Sequence, residues 1–280
     1  MSLRLGLLFS RIRMEEKMLL QEAGKRHIHV VKIDSRKLVL GLSGDYDFDV
    51  LLERDVSHSR ALYALNLFQG CGIKTVNNYD VALVCGDKVA TTKALEDADI
   101  PTPKARVAFS RETALKAIEE MGYPVVIKPA TGSWGRLLAK VNDRDCAEAI
   151  LEHKEHLGSY YHSIYYIQDY VNKPGRDIRA FVLGNETICA VFRSSDHWIT
   201  NTARGAQVAS CPLTPEIHDI CERASAAVGG GILAIDLMET DHGLVVNEVN
   251  YTVEFRNSIV PTGVNIPGRI IDYVVDIAKS

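Results

Sequence analysis

No stretch of this 280-residue chain strings together the 18 or more apolar residues that a membrane-spanning helix needs. The apolar run at the start, Leu3 to Phe9, is too short and too interrupted for a secretory signal. No Cys-x-x-Cys pair occurs, and the six cysteines (Cys71, Cys85, Cys146, Cys189, Cys211, Cys221) are scattered. That spacing argues against a disulfide framework or a structural zinc, so a reducing, cytoplasmic setting is expected. A Gly-x-x-x-x-Gly-Lys-Ser/Thr loop is missing, and so is Gly-x-Gly-x-x-Gly. Neither a P-loop nor a nicotinamide-type dinucleotide site is therefore supported. Charge of one sign is lacking too: 32 Lys and Arg face 36 Asp and Glu, for a net charge of −4. The chain has no overall basic field for nucleic acid or an anionic membrane, and any anion it binds must be held by a local cluster of cations.

What is present suits a globular protein. Hydrophobic residues make up 46% and charged residues 24%, enough to bury a core in one large domain or in two to three small ones. There is no internal repeat, low-complexity tract, or Pro- or Ser-rich linker, but three stretches separate by pattern. Residues 1–85 alternate short apolar strands (Leu3 to Phe9, Ile28 to Ile33, Val50 to Leu52) with helices (Met14 to Lys25, Ser59 to Phe68), which predicts a small parallel α/β domain. Residues 86–167 hold helices from Lys88 to Asp97, Arg111 to Met121 and Asp143 to His156. They also hold an apolar strand, Tyr123 to Pro129, and a further strand, Arg136 to Val141. Residues 168–280 follow a strand that opens at Ile164. They carry strands at Ile178 to Leu183, Thr187 to Phe192, Ile232 to Met238 and Leu244 to Val249. Thr214-Pro215 is a helix start, with a capping hydroxyl and then proline at the first helical position. Ile217, Ile220, Cys221, Ala224 and Val228 form that helix's apolar stripe, and Ile270, Ile271, Val274, Val275 and Ala278 give the last helix a buried face.

Four signals carry chemistry. Asp236 interrupts an apolar strand, and Glu248 and Asn250 close the next one, two residues apart and so on one face. A carboxylate inside such a strand needs a partner. Three oxygen donors suit magnesium better than zinc, and a salt bridge from Asp236 to a neighbouring arginine is the competing reading. The second signal is a set of cations: Lys88 at a helix start, Lys128 ending an apolar strand, then Arg179, Arg193, Arg204 and Arg256. A buried lysine such as Lys128 calls for an anionic partner, whereas any single cation can equally be a surface charge. The third is the loop Gly132, Ser133, Trp134, Gly135, whose glycines let backbone N–H groups approach phosphate oxygens; on its own it also reads as a turn. The fourth is Gln168, Asp169, Tyr170 and Val171, an extended segment able to meet a purine edge, followed by Asp177 as a partner for a ribose hydroxyl. A plain strand and turn is its alternative.

Taken in order, these elements resemble the ATP-grasp superfamily over nearly the whole chain. They are similar to the branch of the ribosomal-protein glutamate ligases and, more closely, to the amino-group carrier protein ligases of lysine and arginine biosynthesis. Gly132 to Leu138, His197 to Gly205 and Asn247 to Phe255 carry that closer resemblance.

The resemblance implies an ATP-grasp fold: a small N-terminal parallel α/β domain plus two α+β subdomains gripping ATP. It implies an enzyme using ATP and Mg2+ that joins the α-amino group of 2-aminoadipate, or of glutamate, to the C-terminal glutamate of a small acidic carrier protein through an acyl phosphate. A glutamate ligase acting on a protein tail or peptide, and an inactive ATP-binding module, stand as alternatives. Under the resemblance, Lys88, Lys128, Gly132, Ser133, Trp134, Gly135, Gln168, Asp169, Tyr170, Val171, Asp177, Arg179, Arg193 and Asn201 hold the nucleotide, and Lys128 and Arg193 serve catalysis. Asn201, Arg204, Asn257 and Ser258 face the amino-acid substrate, and Asp236, Glu248 and Asn250 bind the metal. Asn257-Ser258 occupies the group's selectivity pair, which is Asn then Thr or Ala in aminoadipate enzymes and Gly then Phe in glutamate enzymes. A homo-oligomer is expected, with no nucleic acid or membrane partner.

Overall fold

The computed structural model describes residues 3–132, 137–157 and 163–280. Its N-terminal unit is a parallel sheet of β1 (Arg4–Phe9), β2 (His29–Asp34), β3 (Val50–Glu53) and β4 (Lys74–Val76), in the order β2-β1-β3-β4. Helix α1 (Met14–Lys25) connects β1 to β2, α2 (His58–Gly70) connects β3 to β4, and α3 (Tyr79–Cys85) follows β4. The buried runs of β1 and β3 explain why both read as near-continuous apolar segments.

The middle unit is an antiparallel sheet, β5-β8-β6-β7, made of β5 (Ala105–Ala108), β6 (Val125–Lys128), β7 (Ala139–Val141) and β8 (Tyr165–Asp169). Helices α5 (Arg111–Met121) and α6 (Arg144–Leu157) close a core of its own around Ile118, Val125, Ile127, Leu151 and Ile167. Its last strand ends at Asp169. Helix α4 (Lys88–Asp97) begins here but packs against α3 and the C-terminal unit. The Asp87 carboxylate caps it by accepting from the N–H groups of Val89 and Ala90, which fixes Lys88 at its first position.

The C-terminal unit is a five-stranded antiparallel sheet, β11-β10-β9-β12-β13, from β9 (Arg176–Leu183), β10 (Glu186–Ser194), β11 (Gln207–Cys211), β12 (Ile232–Thr240) and β13 (Gly243–Asn250). Helix α7 (Pro215–Ala227) starts as its sequence dictates, with the Thr214 hydroxyl accepting from the Ile217 N–H, and buries Ile217, Ile220, Cys221 and Ala224. Two more helices follow, α8 (Arg256–Thr262) and α9 (Ile266–Lys279), the latter burying Ile266, Ile270, Ile271 and Val274.

Shared cores join the first and third units. Leu51 and Phe68 cluster with Leu233 and Ile235, and Leu7 and Leu52 cluster with Phe181 and Val274. Asn77 bolts the join: its amide nitrogen donates to the carbonyls of Ile232 and Tyr251 at 2.8 Å each, and its oxygen accepts from the Ile232 N–H at 2.6 Å. Such a satisfied buried amide fixes a register between elements that apolar packing alone leaves free to slide. Among the described residues no helix is long and apolar enough to cross a membrane.

Candidate active site

Three adjoining hollows meet on one face of the C-terminal sheet. The first, of about 800 Å³, lies where the middle sheet faces β12 and β13. Lys88, Lys128, Gly132, Gln168, Asp169, Tyr170, Val171, Asp177, Arg193, Asn201, Asp236 and Glu248 all line it. The second, about 1280 Å³, holds Arg179, Arg204, Asn257 and Ser258 and shares Arg193 with the first. Asn250 lines the third, about 900 Å³, which shares Lys88, Asn201 and Glu248 with the first. Thus Arg179, Arg204, Asn250, Asn257 and Ser258 stand in side chambers. Ser133, Trp134 and Gly135 lie outside the described residues.

Lys128 ends β6 and is 6% exposed. Its ammonium donates to Asn247 Oδ1 at 2.9 Å. Burial pushes its pKa down to about 8, against the pull of Glu248, and Lys88 and Lys173 add to the lowering. The pH consequence has a definite sign. Below about 8 the ammonium is charged and attracts a polyphosphate; above it the charge is lost. ATP binding to the free enzyme is expected to weaken as pH rises through about 8. A titration of Kd for ATP across pH 7 to 9.5 checks this, and Lys128→Arg, which stays charged, should flatten the rise.

Lys88 reaches across from α4, donating to the Gly132 carbonyl at 2.8 Å and sitting 3.4 Å from Glu248 Oε1. Gly132 has φ +126°, a conformation that side chains rarely adopt. Two lysines, one from α4 and one from β6, therefore flank one carboxylate at the head of the cleft. An apolar slot of Val126, Leu138, Tyr170 and Met238 forms its far end. The Lys140 ammonium lies 3.6 Å from the Tyr170 ring centroid, and Trp198 meets that ring edge-on at 6.2 Å. A flat apolar slot next to cations suits a purine nucleotide. The N–H groups of Asp169 and Tyr170 bond the carbonyls of Lys104 and Pro124, so those two are taken up by the fold rather than held open for a base.

Register explains the acidic cluster. Asp236 pairs with Arg179 on one side and Glu248 on the other, so three strands present these side chains in one row. Both readings of Asp236 meet here. Its carboxylate accepts from Arg179 Nε and Nη2 at 2.7 Å each and lies 3.1 Å from Arg193 Nη2. Burial pushes the Asp236 carboxyl up, but the two guanidiniums outweigh it and hold the group well below the usual carboxylate range. Glu248 is the more open carboxylate, its side chain 30% exposed. The Asn250 Nδ2 is buried and finds no hydrogen-bond partner among the described residues.

Asp177, expected to take a ribose hydroxyl, lines the first hollow with its side chain 8% exposed. It accepts from Arg193 Nε and Nη2 at 2.7 and 2.9 Å, from the Thr200 hydroxyl, and from Lys173 at 3.4 Å. Donors from three residues thus converge on this one carboxylate.

Sequence reasoning also missed Asn247, Lys173 and Thr200. Period-two alternation would turn Asn247 away from Glu248's face. The register slips between Asp236 and Leu237, however, leaving Asn247 unpaired in a bulge that lets it reach Lys128. Lys173 sat in a Lys-Pro-Gly segment that reads as an ordinary turn, and nothing local signals that its side chain is only 7% exposed.

A cleft spanned by two sheets and lined by lysines suits a nucleotide-dependent ligase of the grasp type, and comparison with known proteins gives that class. Residues 85–274 match the RimK-like ATP-grasp domain and residues 5–84 the LysX preATP-grasp domain. A curated relative, the alpha-aminoadipate--LysW ligase LysX of Saccharolobus solfataricus, is 37% identical over 95% of this chain and 99% of its own. The glutamate--LysW ligase ArgX of Sulfurisphaera tokodaii is 32% identical over 97% of this chain and 98% of its own. The crystal structure of a RimK domain ATP-grasp protein from Sphaerobacter thermophilus superposes with a TM-score of 0.84 at 30% identity, covering 97% of this chain and 99% of that one. The chain belongs to the RimK-like ATP-grasp family, with a LysX-type domain at its N-terminus. It is an ATP-dependent ligase, and ATP-grasp ligases use Mg2+ with their ATP. A fit to that ion rests on oxygen donors: Glu248 is a partly open carboxylate and Asp236 lies in register with it, while the Asp236 oxygens also accept from Arg179.

Proposed function

We propose that this enzyme joins the α-amino group of 2-aminoadipate to the C-terminal glutamate γ-carboxyl of a small acidic carrier protein, as a step of lysine biosynthesis. Glutamate is its second amine substrate, and with glutamate the same chemistry serves the arginine pathway. The observation that carries this reading is the second chamber. It meets the nucleotide cleft at Arg193 and sets five arginines, Arg13, Arg179, Arg193, Arg204 and Arg256, against two acids, Glu15 and Glu254. Glu16, Asp236 and Asp177 hold three of these guanidiniums, those of Arg13, Arg179 and Arg193, in place at the chamber wall, and an arginine-lined chamber suits an amine substrate bearing two carboxylates. Asn257 and Ser258 line the same chamber from the first turn of α8. The LysX and ArgX names of the relatives above supply the carrier and the two candidate amino acids.

A carboxylate is a poor acyl acceptor, because its charge repels a nucleophile and oxide is a bad leaving group. Transfer of the γ-phosphoryl group from ATP to the carrier's carboxylate gives an acyl phosphate and ADP. The amine then attacks the acyl carbon, and as the amide forms the C–O bond breaks, phosphate departing with its electron pair and with the proton the amine gives up. Lys88 and Lys128 hold the polyphosphate from two sides. Asp236, Glu248 and Asn250 would hold Mg2+, which supplies neutralisation of charge on phosphate oxygens when bound. Arg193 stands where the two chambers meet. Burial lowers its pKa, but Asp236 and Asp177 outweigh that and keep the guanidinium charged. Its Nη1, which finds no partner among the described residues, is suited to the oxyanion of the tetrahedral step. Arg204 pairs with a substrate carboxylate, and Asn201, lining both the first and third chambers, orients the reacting groups.

The test is ADP release with Mg2+, an acidic carrier ending in glutamate, and either amino acid. ADP should appear only when all components are present. ADP formation that ignores the carrier, or none with either amino acid, contradicts the reading.

A further inference from the structure

Arg193 reaches the junction of the two chambers from β10, but it does not hold itself there. Its Nε and Nη2 lie along the carboxylate of Asp177 in a two-pronged pair at 2.7 and 2.9 Å. A guanidinium is planar, so fixing one edge sets the direction of the remaining nitrogen. That nitrogen, Nη1, is buried and finds no partner among the described residues.

The anchor is itself anchored. Asp177 Oδ2 accepts the hydroxyl of Thr200 and lies 3.4 Å from the Lys173 ammonium, while Lys173 donates to Thr200 Oγ1 at 2.5 Å. Three separate chain positions converge: the turn before β9, β9 itself, and the segment after β10. The donor and acceptor inventory makes the order of this relay unique. An ammonium only donates and a carboxylate only accepts, so a hydroxyl between them must accept from Lys173 and donate to Asp177. Serine can do both, and valine, of nearly the same shape as threonine, can do neither.

We propose that Asp177, locked by Thr200 and Lys173, is a positioning residue that aims Nη1 of Arg193 at the acyl centre. The idea rests on the ligase reading above. It assigns Asp177 and Thr200 to the acyl-transfer step rather than to nucleotide binding. A guanidinium free to swing by about 1 Å forfeits most of the benefit of preorganisation, so the effect falls on turnover.

The experiment compares Thr200→Val, Thr200→Ser and Asp177→Asn with wild type in steady-state ligation. Thr200→Val should lower kcat by about 10- to 100-fold with KM for ATP and for the amino acid within about twofold. Asp177→Asn should lose at least as much, and Thr200→Ser should recover to within a few-fold of wild type. Unchanged kcat in Thr200→Val overturns the proposal. So does a loss that serine fails to rescue and that follows the melting temperature. A second readout is independent of ligation: the Arg193 Nε–H should exchange slowly in wild type and measurably faster in Thr200→Val by NMR. If wild type forms no amide with any acceptor, the ligase reading fails, and this exchange rate still decides whether Thr200 holds the guanidinium. Equal exchange in the two proteins overturns the positioning role.

Discussion

Lys128→Ala is expected to lower kcat/KM for ligation by on the order of 10³-fold while the protein stays folded. The two halves of that expectation have separate causes. Lys128 lies in the polyphosphate cleft with its ammonium anchored on Asn247, so its removal takes away a charge that no neighbour can replace. Lys88 approaches from the other side and is held by the Gly132 carbonyl. The fold, by contrast, gains nothing from an ammonium whose pKa burial has driven down to about 8. Melting temperature at or above the wild-type value, with activity gone, is the predicted pair of results. A variant that ligates normally removes Lys128 from the nucleotide site.

The second large effect separates two carboxylates that sequence alone treats alike. Asp236→Ala leaves the buried guanidiniums of Arg179 and Arg193 short of a counter-charge, which should cost about 3–5 kcal/mol of stability. Glu248→Ala removes a half-open side chain whose cation, Lys88, has the Gly132 carbonyl as well, so its cost should stay within about 1 kcal/mol. Both variants should lose ligation. Urea denaturation alongside the activity assay reads the difference. Equal destabilisation in the two variants contradicts the burial argument, and retained Mg2+-dependent turnover in either contradicts its place in the metal site.

These contrasts show what could be read from the sequence and what could not. Helices α1 and α5 begin and end at the residues read from the sequence, Met14 to Lys25 and Arg111 to Met121. The pair of Asp236 and Glu248 was visible because a carboxylate in an apolar strand is costly enough to stand out, whereas Asn250 lies opposite Ala234 and lines the third hollow. Strand β4 is only three residues long, and β11 sits at the sheet edge with most of its residues exposed. Neither leaves a periodic signal, and α8 carries Pro261 inside it, which disguises it as a turn. The relay of Lys173, Thr200 and Asp177 was hidden for another reason. Its members are ordinary alone and acquire meaning only when β9 and the segment after β10 are brought together. The bulge at Asn247 likewise depends on pairing with β12, which no local pattern reveals.

The most direct measurement is the intact mass of an acidic carrier protein ending in glutamate, taken after incubation with this enzyme, ATP, Mg2+ and an amino acid. The account predicts a carrier heavier by one aminoadipate residue, or by one glutamate residue when glutamate is supplied, the two products differing by one methylene. The gain should vanish without ATP or when the carrier's terminal glutamate is removed. A carrier of unchanged mass under the complete conditions, with the nucleotide bound but unconsumed, would contradict it.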